Sequence, residues 1–198
     1  YKGMWQQIAE YFKDYSDYLI FEGANEEIGA RFDEDSALYC QDSVVSYLSD
    51  NQRYALANEV NQAFVDTVRA TGGNNAKRFL LIPGYGTNIA QTCDNRFKMP
   101  TDTAEDKLLI SVHYYDPWSY CGAESVSGAT AWGTKKDYEA MDKMLSRMQK
   151  FSRQGIGVVI GEYGALPINA ELKENTVNYH QRFLDNCDYY DYTSCLWD

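Results

Sequence analysis

Apolar residues return along this chain in two rhythms. Short aliphatic or β-branched runs stop abruptly at turn or acidic residues, as strands buried on both faces do. Between them lie longer stretches in which apolar positions recur every three or four residues. The first rhythm predicts five strands: Tyr18 to Glu26, Arg78 to Pro83, Lys107 to Tyr115, Gly157 to Glu162, and Tyr192 to Trp197. Pro83 and the pair Asp116-Pro117 mark strand ends. The second rhythm predicts helices over Met4 to Tyr15, Asn51 to Ala70, Thr134 to Gln154 and Ala170 to Asp185. Their apolar stripes are Met4-Ile8-Phe12 (with Trp5 and Ala9 beside them), Leu56-Val60-Phe64-Val68, Tyr138-Met141-Leu145-Met148, and Leu172, Val177 and Leu184. Thr71 to Asn75 closes the second helix, with glycine available for a left-handed cap.

Strands that alternate with helices at this spacing are parallel and joined by right-handed crossovers. Complete eight-unit barrels need about 250 residues. Five strands in 198 residues therefore fit an α/β fold that is part of such a barrel, its last five strands with their helices. A five-stranded doubly wound sheet is the rival, but no Gly-rich phosphate loop follows any strand. The acidic stretch from Glu27 to about Asp50, with Asp33, Glu34 and Asp35 together, reads as an exposed excursion. No repeat or linker divides residues 1–198, which read as part of a single domain.

Charge narrows the partners. With 18 basic and 29 acidic residues the net charge is -11, which argues against nucleic acid and against an anionic membrane surface. No run is long and apolar enough to span a bilayer. The chain starts at Tyr1, as a mature or excised piece would. Five cysteines without a C-x-x-C pair argue against zinc and are compatible with an oxidising, extracellular setting. Cys187 and Cys195 are close enough in sequence to bridge. Aromatic residues make up 15% of the chain; most such rings fill cores, yet the surplus suits flat ligands.

Two strands end in an acid, at Glu26 and Glu162, where α/β proteins place their chemistry. Either glutamate alone is equally well a capping or ion-pairing residue. As a pair they match glycoside hydrolysis, where one carboxyl donates a proton and the other acts as nucleophile or base. His113 and Tyr115 share one strand face, and a tyrosine hydroxyl there can donate to a carboxylate and hold it ionised. Trp197 ends the last strand as a core residue or as a flat platform. Trp118, Tyr120 and Trp132 follow His113 and suit the wall of a groove. His180, within a helix, reads as structural.

Together Asn25-Glu26, His113-Tyr114-Tyr115, Ile160-Gly161-Glu162-Tyr163-Gly164 and Leu196-Trp197-Asp198 resemble glycoside hydrolase family 5, in its branch of bacterial and rumen-fungal endoglucanases. The runs Leu19 to Glu22, Asn61 to Asn75 and Val112 to Trp118 support the resemblance, and Asn61 to Asn75 is very specific. The resemblance implies a (β/α)₈ barrel of retaining β-glycanases that requires no metal or organic cofactor. It implies Glu26 as acid/base, Glu162 as nucleophile and Asn25 on the sugar 2-hydroxyl. His113, Tyr115 and Trp118 would line the site, and Trp197 would be the platform at the cleavage subsite. Glu27 stands where the family usually has proline.

The expectation is thus the C-terminal portion, strands four to eight, of a secreted endo-β-1,4-glucanase acting on β-glucan. A complementary N-terminal fragment would complete its barrel. The alternatives are a non-catalytic glycan-binding fragment, or a xyloglucanase, licheninase or mannanase of the same family.

Overall fold

A computed structural model describes residues 1–29, 32, 48–122, 129–165 and 173–197. The acidic triplet Asp33 to Asp35, Cys40, Leu172 and Asp198 lie outside the described residues. The chain forms two compact units, Tyr1–Ser111 and Val112–Asp198. Among the described residues no helix is long and apolar enough to cross a membrane.

The first unit holds helix α1 (Lys2–Phe12), strand β1 (Phe21–Glu22), helix α2 (Asp50–Ala70), strand β2 (Leu80–Asn88), the short helix α3 (Ile89–Thr92) and the first residues of strand β3 (Leu108–Tyr114). Its strand order is β1-β2-β3. β1 and β2 run parallel, with Phe21 opposite Leu80 and Glu22 opposite Leu81. Helix α2 opens on a capping box, in which the Ser49 hydroxyl accepts from the Gln52 N–H while the Gln52 side chain accepts from the Ser49 N–H.

Two of the expected stripes are rotated. In α1 the buried residues are Trp5 and Ala9, and Met4 is exposed. In α2 they are Tyr54, Ala57, Asn61, Phe64, Val65 and Val68. Asn61 takes a core position because its amide donates to the Pro83 carbonyl at 3.0 Å; a reading by apolarity alone passes over it. Pro83 does not end β2, which runs on to Asn88.

Arginines knit the first unit together. Arg78 is fully buried. Its Nε donates to Asn75 Oδ1 (2.7 Å), one terminal nitrogen donates to the Ser16 and Leu19 carbonyls, and the other donates to Phe12 and Tyr15, each at 3.0 Å. It thereby satisfies carbonyls at the C-terminal end of α1 that have no helical partner. Arg69 makes a forked pair with Asp102 at 2.8 and 2.6 Å, with both side chains buried. The Asn75 amide donates to the Ala9 carbonyl.

The second unit holds the end of β3, then α4 (Trp118–Cys121), α5 (Lys135–Ser146), α6 (Gln149–Ser152), β4 (Gly157–Tyr163), α7 (Thr176–Tyr190) and β5 (Thr193–Leu196). Its strand order is β3-β4-β5. The helix expected over Thr134 to Gln154 is two pieces, and the last helix begins and ends later than its pattern predicts. Val177 and Leu184 are exposed; α7 buries Tyr179, Phe183, Asn186 and Cys187 instead. Phe183 stacks on Tyr163 at 4.0 Å between ring centroids and on Tyr114 at 5.4 Å. Cys187 and Cys195 are free thiols, as are Cys93 and Cys121. Burial pushes the Cys121 and Cys187 thiols up to about 12, which leaves them unreactive at neutral pH.

Two measurements probe this frame. Arg78→Lys keeps the charge but loses the planar fork, and it should destabilise the chain by about 3 kcal/mol or more; an unchanged urea midpoint would remove Arg78 from its structural role. Burial alone would raise the Asp102 carboxyl, but hydrogen bonds from Arg69 and the Ala104 N–H reverse this and hold it below 3.8. A depressed folded value gives stability that is present above pH 3.8 and lost as pH falls through that lower value. Asp102→Asn should therefore be less stable at pH 7 and should show a flatter acid limb, read from urea midpoints between pH 2 and 7.

Candidate active site

Glu162 is the sixth residue of β4, its carboxylate only 15% exposed. β4 pairs parallel with β5, with Val159 opposite Thr193, Ile160 opposite Ser194 and Tyr163 opposite Leu196. Three steps along β4 thus match two along β5, so β4 carries one extra residue across Gly161-Glu162. A bulge of this kind bends the strand and re-aims the side chain that it carries.

Two side chains from the end of β3 meet Glu162. The Tyr115 hydroxyl donates to Oε2 at 2.9 Å. Nδ1 of His113, a residue 9% exposed, lies 3.4 Å from the same oxygen. Alternation along β3 sends His113 and Tyr115 to one side, while Tyr114 between them packs on Phe183. The carboxylate is therefore held from one oxygen by two groups on a single strand, which sets its orientation.

Aromatic groups flank this cluster. The Trp118 ring meets Tyr115 edge-on at 6.3 Å and is 62% exposed. Trp197 is 57% exposed. It follows β5 directly and donates its N–H to the Tyr163 carbonyl at 3.0 Å. A side chain at Gly164 would come within 3.0 Å of the Trp197 carbonyl. A glycine beside Glu162 is what lets the Trp197 backbone approach so closely. Tyr120 and Trp132, also expected in a groove, are buried: the Tyr120 hydroxyl donates to the Glu174 carbonyl and Trp132 packs against Tyr179. Half-buried Asp116 has its carboxyl raised by desolvation.

In the first unit, Asn25 and Glu26 lie in the loop after β1, Asn25 exposed and Glu26 half-buried. The Asn25 N–H donates to Glu27 Oε2 at 3.1 Å, so Glu27 turns back on the loop that it follows. The loop is then fastened to β2 by a bond from the Gly86 N–H to the Ile28 carbonyl at 2.6 Å. Gly29 has φ 145°, and a Cβ there would meet the Gly86 nitrogen at 2.8 Å and the Tyr85 ring at 3.0 Å. Tyr85 is itself stacked on Tyr54 at 4.0 Å. Sequence reasoning missed this support. Its signal was available in Gly84-Tyr85-Gly86, since glycine inside a strand marks a bulge or a close backbone approach.

Comparison with known proteins bears on the family and the fold. The family model described as Cellulase (glycosyl hydrolase family 5) matches residues 1–198. Endoglucanase A of Paenibacillus barcinonensis is 38% identical over 188 residues, covering 84% of this chain and 43% of the relative. A glycoside hydrolase 5 lichenase from Caldicellulosiruptor sp. F32, solved with cellotetraose, superposes with a TM-score of 0.84 at 32% identity, covering all of this chain and 53% of the other. A GH5-4 broad-specificity endoglucanase from an uncultured bovine rumen ciliate gives 0.80 at 36% identity, again over the whole chain and 55% of the other. The chain thus spans about half the length of the solved structures it matches. Its α/β fold, with five parallel strands, is that of part of their (β/α)₈ barrel.

Gly29→Ala tests the support beneath the Glu26 loop. With a left-handed φ and backbone in the way, it should destabilise the chain by roughly 1–3 kcal/mol. A melting temperature equal to that of the parent would show that the loop does not need this contact.

Proposed function

The chain belongs to glycosyl hydrolase family 5, and from that membership we propose that it is the C-terminal portion, strands four to eight, of a single endo-β-1,4-glucanase catalytic domain. The observation that carries the reading is the bulged strand end that presents Glu162 to Tyr115 and His113 on one carboxylate oxygen.

In this reading the reaction is a double displacement. Glu162 attacks the anomeric carbon while Glu26 donates a proton to the departing glycosidic oxygen. Glu26 then takes a proton from water, which displaces Glu162 and releases the sugar with its configuration retained. Tyr115 and His113 orient the nucleophile, Asn25 holds the sugar 2-hydroxyl, and Trp197 and Trp118 offer rings for the pyranose faces. No metal or organic cofactor enters these steps.

The substrate class is a neutral β-1,4-linked glucan. It is supported by the net charge of -11, which disfavours anionic polymers, and by relatives named as endoglucanase, lichenase with cellotetraose and broad-specificity endoglucanase. Such a polymer places the protein outside the cell, and the full activity draws on a complementary segment with the remaining barrel strands.

The test is hydrolysis of carboxymethyl cellulose by the chain, with β-glucan binding measured in parallel. Glu162→Ala should lower turnover by about 10³-fold or more while binding persists. Unchanged turnover would exclude Glu162 as nucleophile, and an inverted product anomer, read by NMR at early times, would exclude double displacement. Binding without turnover in a well-folded sample would recast the chain as a non-catalytic glycan-binding fragment.

A further inference from the structure

The exposed aromatic rings of the second unit occupy opposite ends of its strands. Trp118 follows β3 and Trp197 follows β5, at the C-terminal ends where Glu162 also lies. Tyr189 lies at the other end. It sits in the last turn of α7, four residues before β5 begins, and is 81% exposed. The seven residues of β4 put roughly 23 Å between the two ends.

Tyr189 borders a groove of about 250 Å³ between α5 and α7, lined also by Tyr190, Asp142, Arg182, Asp185 and Asn186. Its walls are held in place from within. Arg182 forks onto Asp142, with Nε 2.8 Å from Oδ1. The Asn186 amide, nearly buried, donates to the same carboxylate at 2.8 Å and to the Arg182 carbonyl at 3.0 Å. Tyr190 stacks at 5.4 Å on buried Tyr192, whose hydroxyl donates to the Leu145 carbonyl at 3.3 Å. Asp185 accepts from the Gln181 amide at 2.8 Å.

The chemistry of this groove selects its ligand. Arg182 and Asp142 neutralise each other, so Asp185 leaves the groove net negative, which disfavours phosphate, nucleic acid and acidic polymers. An open tyrosine face beside planar amide, guanidinium and carboxylate groups suits a neutral ring with C–H faces and equatorial hydroxyls. Preformed walls spare the ordering that a flexible surface would need on binding. We propose that this groove is a second β-glucan site, separate from the strand ends that carry Glu162. The inference rests on the β-glucan reading above for its ligand, but not on turnover.

The test is native affinity electrophoresis of the Glu162→Gln chain through gels containing barley β-glucan. Adding Tyr189→Ala should weaken retardation about five-fold, and Tyr189→Phe should restore it. Asp185→Ala, at an exposed position, gives a second loss independent of the ring. Equal retardation of parent and Tyr189→Ala overturns the site, as does a parent that the glucan does not retard. Turnover without Tyr189-dependent retardation overturns this site alone. Tyr189-dependent retardation without turnover in the otherwise unmodified chain leaves this site standing and counts only against turnover by the chain alone.

Discussion

The first unit depends on one guanidinium. Arg78 is fully buried and gives its donors to four main-chain carbonyls and one side-chain amide oxygen. Those carbonyls belong to the end of α1 and to the turn that leads into β1. A helix end leaves such carbonyls unpaired, and burying them without partners would be costly. Arg78 removes that difficulty and also stacks its guanidinium over Phe21, the first residue of β1. Strand β1 itself is only two residues long and has little pairing of its own to hold it. Its position, and hence that of the loop bearing Asn25 and Glu26, is set largely by this cap and by bonds to Gly23, whose carbonyl accepts from Trp5 and Tyr1.

A different constraint governs the second unit. There the candidate carboxylate is placed by register rather than by a buried charge. The extra residue of β4 falls where Glu162 lies, and the packing that holds β4 is aromatic, with Tyr163 and Phe183 in contact. Gly164 then admits the Trp197 backbone. The two glycines beside Glu162 thus have structural reasons: Gly161 lies within the bulge, and Gly164 leaves room that any side chain would fill.

How legible was this in the chain itself? The alternation of strands and helices was, because aliphatic runs and helical stripes are averaged over many residues. The faces of the helices were not. Asn61 occupies a core position that only its bond to Pro83 explains, and α7 buries Tyr179 and Cys187 where apolarity pointed to Val177 and Leu184. β2 passed through Pro83 because a proline gives up only a donor, and its carbonyl still found one in Asn61. At the candidate site, His113 and Tyr115 could be placed on one face by alternation alone. Bulges and loop fasteners such as Gly29 could not, since they depend on which strand lies alongside.

The run Asn61 to Asn75, which supports the family resemblance, holds none of the residues proposed for the chemistry. Asn61 ties α2 to β2, Arg69 holds Asp102, and Asn75 binds both α1 and Arg78. Each is a polar group buried in a structural role, and each is hard to replace because removing one partner strands another. Such residues distinguish a fold more sharply than apolar ones, which exchange freely at similar volume. The proposed chemistry lies instead on a strand end and a loop whose few residues would be weak evidence alone. The frame and the site therefore inform different conclusions: the match over residues 1–198 assigns the family, the buried arginines and asparagines hold the frame, and Glu162 with Tyr115 and His113 supports the reaction proposed for it.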